Sequence, residues 1–385
     1  MKILMVGGTW DMNNGKPSGL FEKIFRVLQT RDNDIYFYNG GHYDALCNIY
    51  KSLEHTIYDS IWWFVNVPND LPKIRDIKEI QPYTMLVTSK RNNNEYADME
   101  IVQRALVQKA NLLFEFSKKD DKFNMRVFDP LGCVWANSCD VTTVVNNAFD
   151  RLVYLKSITR QQTTKSDVSK ELILSWYFDS FKMPENKSDK VITIPDQSEF
   201  IDIIHKYAEI MQTDIMPNTV RFVGNASLKL PPQVGRCSKT MPSFKKNNIV
   251  FVSRRNVPKQ FIEMDDFVPV YMDEGKLYYC GDSKPSVDAP VQIRLYKELP
   301  NIKYMIHFHA YIQDAPVTSY AIPCGAVDEV NEVLSLIDKE YGSRELDSYV
   351  VNLRGHGAIV MSNDINKLKN QKLVKRPMPE YFGGD

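Results

Sequence analysis

The side chains best suited to chemistry are three histidines and one aspartate near the C-terminus. His307 and His309 alternate within Tyr304-Met305-Ile306-His307-Phe308-His309, a run with the periodicity of a β-strand. Side chains two positions apart on a strand leave the same face, so both imidazoles can approach one ion. A third imidazole follows in Arg354-Gly355-His356-Gly357, and Asp288 ends the stretch Ser283-Lys284-Pro285-Ser286-Val287-Asp288 upstream of the pair. Three nitrogen donors and a carboxylate, with a position left for substrate, would make a divalent-metal site of the catalytic type. The competing reading is three ordinary core or surface histidines, since His-x-His is short and common.

Such a site needs a sheet to hold it, and the second half of the chain has the pattern of one. A helix is expected over Glu199–Ala208, with Asp196 as its cap and His205 in a structural place on its face. Strands are expected at Val220–Val223 and Asn248–Val252. Two more, Phe267–Tyr271 and Lys276–Tyr279, flank a turn at Asp273-Glu274-Gly275. Together these predict an α/β sandwich with a mainly antiparallel sheet over residues 191–385. The tail from Lys367 is basic and then proline-bearing, and is read as either crossing to a neighbouring subunit or disordered.

Residues 1–156 read differently. Apolar strands at Lys2–Val6, Asp34–Tyr38, Ser60–Val65, Tyr83–Ser89 and Leu112–Phe116 alternate with helical stretches at Gly19–Leu28, Asp44–Leu53 and Asp98–Ala110, and Met125–Phe128 completes the set. Strand–helix alternation with short connections predicts an open parallel sheet of the Rossmannoid or flavodoxin-like kind. Ligands of such sheets sit at the carboxyl ends of the strands. Gly7 and Gly8 follow the first strand, and Lys16 and Ser18 lead into the first helix, a combination that can hold a phosphate of a nucleotide or sugar nucleotide. Asn66–Asp70 and Ser89–Asn92 end two further strands. No Walker A loop or GxGxxG is present, and ordinary glycine turns explain the same residues equally well. Residues 157–190 are polar at Thr159–Lys165 and charged at Pro184–Lys190, and read as a connector around an apolar segment, Leu172–Phe178.

Composition narrows the classes. At 385 residues, two domains are the natural division. Lys+Arg and Asp+Glu both number 48, so no charge footprint suggests nucleic acid or an anionic membrane. No apolar run reaches the length of a membrane span. The first residues read as a strand closed by Gly-Gly and not as a signal peptide. Six scattered cysteines without CxxC suggest free thiols in a reducing, cytoplasmic compartment.

The order of motifs carries a resemblance. Lys284-Pro285-Ser286-x-Asp288, a helix at Val291–Tyr296, Leu299-Pro300-Asn301-Ile302, His307-x-His309, Ile322-Pro323-Cys324 and Gly355-His356-Gly357 occur in sequence, with Gly224-Asn225-Ala226-Ser227 upstream. Over residues 191–365 the chain resembles the class II aldolase/adducin family of sugar-phosphate aldolases and ribulose-phosphate 4-epimerases. The resemblance implies a divalent ion, zinc, on His307, His309 and His356, and a homotetramer with active sites between subunits. It implies Asp288 at the functional carboxylate, where aldolases carry a glutamate acting as acid/base and epimerases an aspartate ligand. It implies a phosphate site at Gly224, Asn225, Ser227 and Ser286. That site departs from the family pattern: Ser286 is followed by Val287, and Ser253-Arg254-Arg255-Asn256 stands where a Ser/Thr-Gly turn is usual. Arg254 and Arg255 are therefore expected either to contact phosphate or to form a solvated turn. The expected function is a metal-dependent lyase acting on a carbon–carbon bond of a sugar phosphate or related hydroxy-carbonyl compound. The alternatives are a 4-epimerase-like isomerase, a non-catalytic adducin-like binding protein, and an activity residing in the first half. A longer acid/base loop after the His-x-His pair, usual in the epimerases, is missing; Asp314 lies in the short loop present.

Overall fold

The structure is a computed structural model that describes residues 1–8, 18–31, 34–65, 74–93, 96–119, 122–173, 197–212, 222–230 and 249–382. Lys16, the loop Asn66–Asp70, the boundary Pro184–Lys190, the cap Asp196, Asn248 and most of Leu172–Phe178 lie outside these residues. The chain forms two compact units, Met1–Ser157 with Pro377–Asp385, and Ile158–Arg376.

The first unit is built on strands β1 (Lys2–Gly7), β2 (Asp34–Asn39), β3 (Ser60–Trp63), β4 (Met85–Asn92), β5 (Leu112–Lys119), β6 (Lys122–Phe128) and β7 (Cys133–Ser138). The order β2-β1-β3-β4-β5 is parallel, and β6 and β7 continue it antiparallel. This is the flavodoxin-like order expected from strand–helix alternation. Residues Ile3 to Val6 are all fully buried because both faces are covered. Ile3 and Met5 pack with helix α1 (Gly19–Gln29) and helix α3 (Val141–Ser157), and Leu4 and Val6 pack with helix α2 (Tyr43–Leu53). One buried ion pair crosses the β5–β6 ladder. Glu115, 0% exposed, accepts a bidentate fork from Arg126 and a 2.6 Å bond from Asn92, and Arg126 also meets Asp98 at 2.7 Å.

The second unit's sheet runs β15-β16-β13-β9-β10-β11-β12-β8. Its strands are β8 (Thr163–Lys165), β9 (Asn225–Lys229), β10 (Val250–Ser253), β11 (Phe267–Asp273), β12 (Lys276–Tyr279), β13 (Tyr304–Phe308), β15 (Ser348–Leu353) and β16 (Gly357–Ser362). A two-residue strand, β14 (Tyr311–Ile312), lies outside this sheet. All pairings are antiparallel except β12 with β8. Tyr304, Ile306 and Phe308 face a core shared with helix α4 (Gln197–Gln212), and Met305 faces the opposite core, shared with helices α5 (Ala289–Glu298) and α6 (Asp328–Glu340). The period-2 alternation therefore sends His307 toward α5 and α6.

Three expectations need correction. Of the strand expected at Val220–Val223, residues 220 and 221 lie outside the described residues, and 222–223 precede the strand, which begins at Asn225 after Gly224 takes a left-handed turn (φ +74°). Residues 163–165, read as connector, add an edge strand to the second sheet. The tail was assigned to the second domain, but Glu380–Tyr381 pairs with β7 of the first unit, and Phe382 stacks on Trp135 at 5.0 Å. Edge pairing uses backbone groups, so polar side chains gave no sign of it.

Replacing Arg126 by Met leaves Glu115 charged and buried with only Asn92 as side-chain donor. The first unit should lose roughly 3–5 kcal/mol, the usual effect of breaking a buried pair. Urea unfolding followed by hydrogen exchange of the β4–β7 amides measures it, and an unchanged midpoint would contradict the role given to this pair.

Candidate metal centre

Five residues converge at one end of the second sheet. His307 is the next-to-last residue of β13 and His309 follows the strand; His356 lies in the tight turn between β15 and β16; Asp288 stands at the start of α5, and Glu329 in the first turn of α6. The three imidazoles each offer a nitrogen within 4.8 Å of the others, and their ring centroids are 4.6 to 5.1 Å apart. All three are nearly fully buried.

The hydrogen bonds leave acceptors facing inward. His307 donates from Nδ1 to the Ala358 carbonyl at 3.0 Å, which fixes its tautomer and leaves Nε2 buried with no partner. His309 Nδ1 is likewise buried and partnerless. Nδ1 of His356 donates to Glu329 Oε1 at 2.9 Å, and its Nε2 faces Cys324 Sγ at 2.9 Å. Asp288 accepts from Asn225 Nδ2 at 2.6 Å through Oδ2, while Oδ1 has no partner. Gln292, one turn along α5, donates to Asn225 and holds that amide in place. Asp288, Cys324 and His356 form a second triple of ligand atoms within 4.8 Å, overlapping the first at His356.

Burial keeps His307 neutral, lowering its pKa to about 4, with the His356 charge adding to the effect. Burial, then the two neighbouring imidazoles, then the charges of Arg376 and Lys259, hold His309 well below the usual range. His356 is the opposite case: burial disfavours its cation, but Cys324 and Glu329 on either side outweigh burial and hold it well above. Two neutral imidazoles with inward lone pairs, a third oriented by a carboxylate, and an unpartnered carboxylate oxygen form a donor set that fits a divalent ion of zinc type.

Not every residue expected in the substrate site converges here. Gly224 packs against the centre's backbone: a Cβ there would lie 3.0 Å from the His307 carbonyl oxygen. Ser253 is fully buried and accepts from Ala226 N at 3.2 Å, and Ser286 is buried beside it, its N–H bonded to Ser253 O at 3.0 Å. Ser227 instead bonds Tyr296 Oη at 3.1 Å under the sheet. The two arginines point elsewhere, Arg254 paired with Asp266 and Arg255 exposed to solvent. Asp314 is exposed.

Sequence reasoning assigned no role to Glu329, Gln292, Cys324 or Lys259. Cys324 lay inside a quoted motif. Lys259 gave no signal, yet it is 1% exposed, and burial first, then Arg254, lower its pKa to about 8 against the opposing effect of Asp266.

In the first unit, Gly7 and Gly8 close β1. A Cβ on Gly7 would strike the Phe21 ring, and Gly8 has φ +127°. Ser18 caps α1, accepting from Phe21 N at 3.2 Å. Cys47, Cys133, Cys139, Cys280 and Cys324 are free thiols. Among the described residues no helix is long and apolar enough to cross a membrane.

Residues 218–373 match the family model described as Class II Aldolase and Adducin N-terminal domain. The matched residues lie within the second unit. A search of curated proteins finds no significant match. Among solved structures, the chain is similar to a DNA/pantothenate metabolism flavoprotein from Streptococcus pneumoniae at 12% identity, covering 41% of this chain and 99% of that one, with a TM-score of 0.33. It is similar to an L-fuculose 1-phosphate aldolase at 16% identity, with 46% and 81% covered and a TM-score of 0.30. The Escherichia coli protein YgbL follows at 14% identity, 45% and 81% covered, and a TM-score of 0.31.

Lys259 makes stability depend on pH in a defined direction. Its pKa is 10.5 in the unfolded chain and about 8 in the fold, so between these values the unfolded state holds the extra proton and stability rises with pH. Lys259→Met should remove that rise and stabilise the EDTA-treated protein at pH 7 by on the order of 1–3 kcal/mol. Urea unfolding of both proteins at pH 7 and 9.5 tests this, and a constant difference between them at both pH values would contradict it.

Proposed function

We propose that the second unit is a metal-dependent lyase of the class II aldolase type. It would cleave or form a carbon–carbon bond next to the carbonyl of a sugar phosphate or related hydroxy-carbonyl substrate. The supporting observation is the set of buried, inward-facing acceptor atoms on His307, His309 and Asp288 beside His356, within a domain of this family. His307, His309 and His356 would hold the ion, zinc in this reading. When bound, it would supply Lewis-acid stabilisation of the negative charge that develops as the bond breaks.

The protein's own contribution is orientation and proton movement. Ala358 O sets the His307 tautomer and Glu329 aims His356. Asn225, itself held by Gln292, fixes one oxygen of Asp288 and leaves Oδ1 to take or return a proton on the substrate. The apolar layers on both faces of the sheet keep bulk water from the centre. An aspartate at position 288 also suits a 4-epimerase, which is the second reading. Asp314, the acidic residue in the short loop, is exposed to solvent in this chain.

Metal content and turnover measured on the same preparations test the assignment. His309→Ala should be depleted of zinc. Asp288→Asn should bind it more weakly and, with metal restored, turn over a sugar-phosphate substrate about two to four orders of magnitude more slowly. Stoichiometric zinc in His309→Ala, or wild-type turnover in the replete Asn variant, would refute the reading.

For the first unit we propose a nucleotide or sugar-nucleotide ligand. Gly7 and Gly8 lie at the carboxyl end of β1, where the strand order reverses. Calorimetric titration of common nucleotides into the full chain is the test, and unchanged affinity in Lys16→Ala would remove that residue from the site. Light scattering would show whether the full chain is the homotetramer proposed by family resemblance; a monomer would refute it.

A further inference from the structure

Lys259 sits in a single 3-10 turn, Lys259–Phe261, shortly after β10. The last residue of β10 and the intervening loop are bound to the two segments that build the metal centre. Ala226 N donates to Ser253 Oγ at 3.2 Å, Ser286 N to Ser253 O at 3.0 Å, and Arg255 N to Lys284 O at 2.8 Å. Those segments carry Asn225 and Asp288. The lysine is nearly inaccessible, and its ammonium makes one hydrogen bond, to the neutral carbonyl of Val257 at 2.9 Å. An ammonium has three N–H donors. Burying it against one neutral acceptor is unfavourable, and no carboxylate among the described residues forms an ion pair with it.

The charges around the centre show what it would accept. Lys259 and Arg376 are buried cations, and Asp288 and Glu329 are buried carboxylates. Those four balance. A divalent ion on neutral imidazoles then adds positive charge with no further buried carboxylate among the described residues of the second unit to offset it. The surface arginines do not change this count, since Arg254 is paired with Asp266 and Arg255 faces solvent.

We infer that Lys259 receives the anionic end of the substrate, a phosphate or a carboxylate, and thereby sets the substrate class of this centre. This rests on the metal-centre reading above. With a pKa of about 8 the group is still mostly protonated at neutral pH, as the role requires.

The test uses the full-length, zinc-loaded protein and three hydroxamates that chelate the ion equally: glycolohydroxamate (neutral end), its phosphate ester, and malonohydroxamate (carboxylate end). Wild-type protein should bind at least one charged probe more tightly than the neutral one. Lys259→Met should lose between about tenfold and a hundredfold of that affinity, while zinc content and neutral-probe affinity stay within about twofold. Lys259→Arg should recover part of the loss. The probe that loses most identifies the group as phosphate or carboxylate. If the Met variant fails to fold, Lys259→Gln, which can still donate to Val257 O, gives the same comparison. No preference for charged probes in the wild type, or full retention of the preference in both Met and Gln variants, would overturn the assignment. Wild-type protein that takes up no zinc and binds none of the three probes would overturn the metal-centre reading instead.

Discussion

Imidazole and carboxylate acceptors buried without partners are unfavourable in any fold, by about 1–3 kcal/mol each. The second unit keeps three such atoms, His307 Nε2, His309 Nδ1 and Asp288 Oδ1, at the end of one sheet. Several surrounding contacts hold them there. The Ala358 carbonyl on the neighbouring strand takes the other nitrogen of His307, Glu329 takes the proton of His356, and the Asn225–Gln292 pair takes the second oxygen of Asp288. Each partner satisfies one side of its residue and so leaves the other side facing inward. Polar groups satisfied on one side only are what a ligand site requires and what a folding core avoids.

Backbone packing makes the arrangement tight. The turn carrying His356 approaches β13 so closely that a Cβ on Gly357 would fall 1.9 Å from the Phe308 carbonyl oxygen. On the other side of β13, Gly224 lets β9 begin beside the His307 carbonyl. Any side chain at Gly357 would force β16 away from β13 and carry the Ala358 carbonyl with it. The glycine that follows His356 therefore acts on the tautomer of His307, fifty residues earlier in the chain.

What the sequence disclosed follows from the range of the interactions. The alternation of Tyr304 to His309 is local, and it placed two imidazoles on one face. Strand–helix alternation is also local, and it disclosed the parallel sheet of the first unit. Glu329 and Gln292 were hidden because each acts on a residue 27 or 67 positions away. Arg254 and Arg255 left two readings open because a basic turn looks the same whether it faces a ligand or water; in the structure Arg254 pairs with Asp266 and Arg255 is exposed. Ser227 lies in a matching motif, yet strand geometry turns its hydroxyl to Tyr296. The edge strands at 163–165 and 380–381 were invisible because their pairing is a property of the backbone.

Two buried cations show how burial alone fails to distinguish structure from function, and how partners do. Arg126 in the first unit is surrounded by Glu115 and Asp98, which outweigh its desolvation and raise its proton affinity. It closes a network and offers nothing to a ligand. Lys259 in the second unit meets the same desolvation with one neutral carbonyl, and its proton affinity falls. A lysine whose only role was to pin the Val257 carbonyl would be replaceable there by any neutral donor that avoids burying a charge. Retaining the charge is reasonable only if something negative arrives to share it. Among the described residues no carboxylate pairs with Lys259, and the anionic end of a substrate would supply that partner.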